Sequence, residues 1–139
     1  TTMQSLEWIR DHTPPGSLVI TSTYASYARD GYIVAVARRP MVYSLPGQVF
    51  PGSAEYEDAF KARNVITLED QKVATEAIRD YEARFPDCYI EIWKAGVQRA
   101  ASVGEPLDLV KLRTTYPAVY ESSTTVVFKV CGLGKGSSQ

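Results

Sequence analysis

The sequence predicts an α/β fold: a mainly parallel sheet flanked by helices, closed by a C-terminal antiparallel hairpin. Four observations predict it. Leu18-Val19-Ile20-Thr21 is a short apolar run between turn signals, the pattern of a parallel-sheet strand buried on both faces. Val73, Ala74, Ala77, Ile78, Tyr81 and Phe85 form one apolar stripe at helical spacing. That stripe leads through Pro86-Asp87 into the β-rich run Cys88-Tyr89-Ile90-Glu91-Ile92-Trp93, and helix, turn and strand in succession are the repeating unit of α/β domains. Last, the β-rich runs 118–121 and 124–130 are separated only by Ser122-Ser123, a link that makes them a hairpin.

The remaining elements follow in order. Met3, Leu6 and Ile9 fall at helical spacing, with Trp8 beside them, and Thr13-Pro14-Pro15-Gly16 stops that helix. Residues 22–37 admit two readings: a helix running on to Arg38, or a helix broken at Arg29-Asp30-Gly31 and followed by a strand over 32–37. Residues 40–44 predict a strand, and 45–53 a Pro/Gly loop. Ser53 caps a helix carrying Tyr56, Ala59, Phe60 and Arg63, with Asn64 at its end. Thr67 and Asp70 resemble a capping box for the amphipathic helix over about 68–85. Residues 94–105 read as irregular, and Leu109, Leu112 and Tyr116 place a helix near 106–116.

A length of 139 residues fits one domain, assigned to 1–131, with 132–139 as a disordered tail. Hydrophobic residues at 45% and charged residues at 22% exclude a disordered chain. Fifteen Lys and Arg against sixteen Asp and Glu leave no basic excess, so nucleic acid is not an expected partner. No apolar run reaches the length of a bilayer span and no signal peptide is visible. The chain is already in helical pattern at Met3 and ends in a Gly/Ser-rich stretch, which suggests a domain excised from a longer protein.

No complete catalytic or metal motif is present. The single histidine, His12, sits at the last turn of the first helix, where its charged form complements the dipole. Cys88 and Cys131 read as buried small hydrophobes in preference to a bridge, since spacing alone does not place their Cα atoms within bridging distance. Gly132-Leu133-Gly134-Lys135-Gly136-Ser137 has the wrong spacing for a phosphate loop, and no helix follows it. No cofactor, metal ligand or catalytic residue is therefore assigned. The candidate ligand surface is Tyr24, Tyr27, Arg38, Arg39 and Tyr43. Tyrosines suit sugar rings, paired arginines can grip an anion in bidentate fashion, and loops at the carboxyl ends of α/β strands converge into a crevice. Buried tyrosines and solvated arginines are the alternative reading of the same residues.

Four segments carry a family resemblance: "LEWIRDHTPPGSLVIT", "ARRPMVYS", "ITLEDQKVATEAIRDYEARFPDCYIEI" and "YPAVYESSTTVVFKV". Their helix with Trp, TPP turn, buried strand, arginine-proline lead-in and closing hairpin resemble the soluble C-terminal domains of multi-span C-type glycosyltransferases and their relatives, which use lipid-linked sugar donors. The resemblance spans roughly residues 3–130. It implies a non-catalytic, extracytoplasmic accessory domain whose partner is the membrane-embedded part of the same protein, with a glycan or lipid-linked sugar as its ligand. In such proteins the catalytic carboxylate lies near the spans, so none is carried over to this chain. The competing reading is a free-standing α/β module that binds a small ligand or a partner.

Overall fold

Strand alternation divides the core into two layers of unequal size. The computed structural model describes residues 2–22, 36–43, 54–102 and 106–133, without the side chains of 2, 3, 43 and 54–56. Helix α1 (Thr2–His12) leads into β1 (Leu18–Thr21), and β2 (Met41–Tyr43) precedes helices α2 (Ala54–Thr67) and α3 (Gln71–Arg84). Then come β3 (Cys88–Trp93), a 3₁₀ turn over Lys94–Gly96, α4 (Val97–Ser102), α5 (Leu109–Thr115), β4 (Ala118–Glu121) and β5 (Thr125–Lys129). On one sheet face Leu18, Ile20, Ile90, Ile92, Val126 and Phe128 pack with buried residues of α2 to α5. On the other, Val19, Tyr89 and Val127 pack with Leu6 and Ile9 of α1. Successive side chains of a strand point to opposite faces, so β1, β3 and β5 each feed both layers.

The strand order is β2-β1-β3-β5-β4. β1 is parallel to β2 and to β3, while β5 is antiparallel to β3 and to β4. The sheet is therefore mixed, not mainly parallel. The hairpin supplies the reason. β5 is buried over Thr125 to Phe128, whereas β4 is exposed at both ends, so β5 takes the interior place beside β3 and β4 becomes the edge. β1 occupies an interior position and is buried throughout, as its apolar run predicts.

Helix boundaries depart from the sequence reading where polar side chains offered two choices. α3 is capped by Asp70, whose side chain accepts from Val73 N at 3.1 Å, and not by Thr67. Thr67 still belongs to α2, and its hydroxyl donates back to Arg63 O. Asn64 does not end α2. It is buried, donates to Phe60 O and accepts from Asp70 N at 3.1 Å, joining the end of one helix to the cap of the next. Residues 97–102, read as irregular, form the short helix α4.

Cys88 and Cys131 are bridged, with Cα atoms 5.1 Å apart. The bridge replaces the reading of two separate buried thiols. It also anchors the start of the expected tail: Gly132 N donates to Glu82 at 2.7 Å and Leu133 packs against the larger core. Residues 134–139 lie outside the described residues.

Three outcomes are expected. Ile66, 1% exposed, fills the α2–sheet interface, and Ile66→Ala should cost about 2–5 kcal/mol in urea unfolding. Asp70→Ala should cost only about 1 kcal/mol, and the reverse order would mean that the α2–α3 junction is misplaced. At the hairpin, Glu121 accepts from Arg113 (2.7 and 2.8 Å) and Lys94 (2.6 Å), which holds its carboxyl at about 2 against an ordinary 4.5. A lowered folded-state value means that the contribution is present above the ordinary value and is lost as pH falls from 4.5 towards about 2. The carboxylate is more than a third exposed, so solvent screening leaves at most about 1 kcal/mol. Glu121→Gln should flatten the acid limb of the stability profile over that interval, and an unchanged limb would exclude the triad as its source.

Candidate functional site

In open α/β sheets ligands gather at the carboxyl ends of the parallel strands. Here those ends bring together Thr21, Ser22 and Glu91, all fully buried. Thr21 and Glu91 are register partners on the face that α1 covers. Thr21 Oγ1 lies 2.9 Å from the Glu91 carbonyl oxygen and 3.3 Å from its Oε2, so one hydroxyl hydrogen is shared between backbone and carboxylate. A carboxylate in an interior strand is costly to bury without polar partners, and Thr21 is one of those partners. One residue pair further on, the Arg99 guanidinium lies 5.8 Å from the centroid of the Trp93 ring. The edge thus combines a buried acid and hydroxyls with a half-exposed aromatic ring and an exposed cation.

The candidate arginines do not act as a pair. Arg38 has φ 57°, in the left-handed region, and its side chain is exposed. That turn sends the next residue inward, and Arg39 is buried. Arg39 Nε donates to Thr13 Oγ1 (2.9 Å), and Nη2 to the carbonyls of Arg10 (2.8 Å) and Thr13 (2.7 Å). Nη1 donates to the carbonyls of Arg38 (2.9 Å) and Ala37 (3.3 Å). All five N–H groups are engaged, three of them on the end of α1, where unpaired carbonyls concentrate negative dipole charge. Arg39 is therefore a clamp on α1, and the bidentate grip on an anion does not form. Tyr24, Tyr27 and the side chain of Tyr43 lie outside the described residues; the backbone of Tyr43 ends β2 opposite Thr21. His12 ends α1 with its ring stacked on Trp8 at 4.9 Å and its Nδ1 3.0 Å from Trp8 O.

The opposite end of the sheet holds a half-open cavity of about 150 Å³. Leu18, Met41 and Val42 line its apolar side, and Asp58 of α2 with Tyr81 and Arg84 of α3 supply its polar groups. Tyr81 is 4% exposed, and its hydroxyl has no hydrogen-bond partner among the described residues. Burial, then the charges of Asp58 and Asp80, push its phenol well above the ordinary tyrosine value, so the hydroxyl stays protonated at neutral pH.

Glu91, Tyr81 and Asp58 were not singled out by the sequence reading. For Glu91 a signal exists: a lone charge between Ile90 and Ile92 in a strand buried on both faces. Tyr81 follows the apolar stripe of α3 and is indistinguishable there from a core tyrosine. Among the described residues no group of three His, Cys, Asp or Glu side chains converges on a metal position, and no helix is long and apolar enough to cross a membrane. No protein-family model matches the chain, and no curated protein matches it.

The clamp gives a direct test. Arg39→Lys replaces a planar fork by a point charge and should destabilise by roughly 3 kcal/mol, since hydrogen bonds from charged donors contribute about 1.5–3 kcal/mol each. Arg38→Lys should shift the unfolding midpoint little. Equal effects at the two positions would remove Arg39 from its structural role.

Proposed function

We propose that this chain is a non-catalytic accessory domain on the extracytoplasmic face of a membrane. It belongs to a polytopic membrane protein of the type that transfers sugars from lipid-linked donors. The Cys88–Cys131 bridge carries the reading, because such bridges persist in oxidising compartments and are rare where thiol reductants act. The likeness of the four sequence segments to soluble domains of multi-span glycosyltransferases supplies the membrane-bound parent and, with it, the partner. Local construction supports a mechanical role. In that arrangement α1 joins the last span to the domain, and its burial at Leu6 and Ile9 together with the Arg39 clamp makes the helix and the sheet one rigid piece. Such a domain takes its orientation from the helix that enters it, which suits holding an acceptor glycan beside the membrane-embedded part.

The experiment is thiol trapping in the native host. Cells are quenched in acid, denatured and treated with a maleimide of high mass, with and without prior reduction. Cys88 and Cys131 are expected to be modified only after reduction. Full modification without reduction would overturn the extracytoplasmic placement. In parallel, the purified domain given a lipid-linked sugar donor is expected to show no transfer, and turnover abolished by a point substitution within it would overturn the non-catalytic reading.

A further inference from the structure

The cavity between α2, α3 and the amino ends of β1 and β2 has no part in the accessory role, and its chemistry selects a ligand. Size comes first. A cavity of about 150 Å³ matches the volume that holds a benzene-sized molecule, about six heavy atoms. The apolar side formed by Leu18, Met41 and Val42 requires a hydrocarbon portion. The polar side requires a hydrogen-bonding head, because the buried Tyr81 hydroxyl has no partner among the described residues and a polar group so placed is destabilising until it gains one.

The sign of that head follows from which charges are already engaged. Arg84 is paired with Asp80 at 3.0 Å and its guanidinium lies 5.1 Å from the centroid of the Phe85 ring. Asp58 makes no ion pair among the described residues. It lines the same cavity as Tyr81, near enough for its charge to raise the phenol. Asp58 also acts on Arg84, so one guanidinium stands against the two carboxylates of Asp58 and Asp80, and among the described residues the cavity keeps an excess of one negative charge. An anionic head would meet that excess, and a neutral polyol would leave the apolar side unmatched.

We propose that this cavity binds a primary alkylammonium group, with N–H donated to Asp58 and to the Tyr81 hydroxyl and the hydrocarbon chain laid on Leu18, Met41 and Val42. The source of that chemistry is either a free aliphatic amine or a lysine side chain. The inference is independent of the accessory-domain reading and stands or falls without it.

The test is a titration of the 139-residue chain, followed by amide NMR, with n-pentylammonium, pentan-1-ol, pentanoate and a lysine blocked at both backbone ends. Pentylammonium should bind with saturable shifts around Asp58, Tyr81 and Phe85, about tenfold more tightly than the alcohol or the acid, as a charge-assisted contact requires. Asp58→Asn should remove that preference. Tyr81→Phe should weaken pentylammonium several-fold and leave thermal stability unchanged or raised, because the hydroxyl it removes has no partner to lose. Binding of the blocked lysine as tight as the free amine assigns the site to a protein side chain; binding of the free amine alone assigns it to a small molecule. Pentylammonium no tighter than pentanol, shifts elsewhere on the surface, or full binding by Asp58→Asn would overturn the proposal.

Discussion

Strand β3 must be satisfied on four sides at once. Its edges take β1 in parallel and β5 in antiparallel register, and its faces take the α2–α5 layer and α1. No side of it is left to water except near Trp93. This constraint organises the rest. β1 must lie parallel beside it, which requires α2 and α3 to carry the chain over one face from β2. β5 must return beside it, which leaves β4 as the edge strand. The bridge to Cys131 then fastens the foot of β3 to the point where the chain leaves β5.

A second constraint acts on α1, the only described helix on its face of the sheet. Among its described residues, Leu6 and Ile9 supply most of its burial on that face. Arg39 adds direction to that burial. Its fork reads the helix end, through the carbonyls of Arg10 and Thr13, and the approach to β2, through the carbonyls of Ala37 and Arg38. Among the described residues this guanidinium is held by carbonyls and the Thr13 hydroxyl and makes no ion pair with a carboxylate, and the dipole of the helix it holds compensates its charge.

What was legible in the sequence is what depends on local pattern. The apolar run of β1, the stripe of α3, the Pro-Pro-Gly stop of α1 and the Ser-Ser link of the hairpin each act over a few residues, and each gave its element correctly. The mixed sheet was not legible, because which hairpin strand meets β3 depends on burial summed over the assembled layers. The cap of α3 was missed because Thr67 and Asp70 are both competent caps, and Asn64, six residues before Asp70, decides between them. Of the candidate site, the two arginines were visible as a pair, but a single left-handed residue at Arg38 turns them to opposite sides. Glu91 and Tyr81 hide in good β and α pattern, since periodicity records where a side chain points and not what it meets there.

The bridge between Cys88 and Cys131 spans 43 residues of sequence and makes that stretch a covalent ring. α4, α5 and β4 all lie on it. Closing a ring of this length removes about 4 kcal/mol of chain entropy from the unfolded ensemble in the simplest description. It also changes what a cut peptide bond means. A nick anywhere between β3 and β5 opens the ring without parting the molecule, because the two ends stay joined through sulfur and through the β3–β5 ladder. A nick in the turn between α1 and β1 would leave α1, among the described residues, held by its buried side chains and the fork of Arg39 without a covalent link to the sheet. The molecule therefore has a bridged C-terminal segment that tolerates a break and an N-terminal helix that does not, an asymmetry that partial proteolysis of the oxidised chain would display as fragments of unequal persistence.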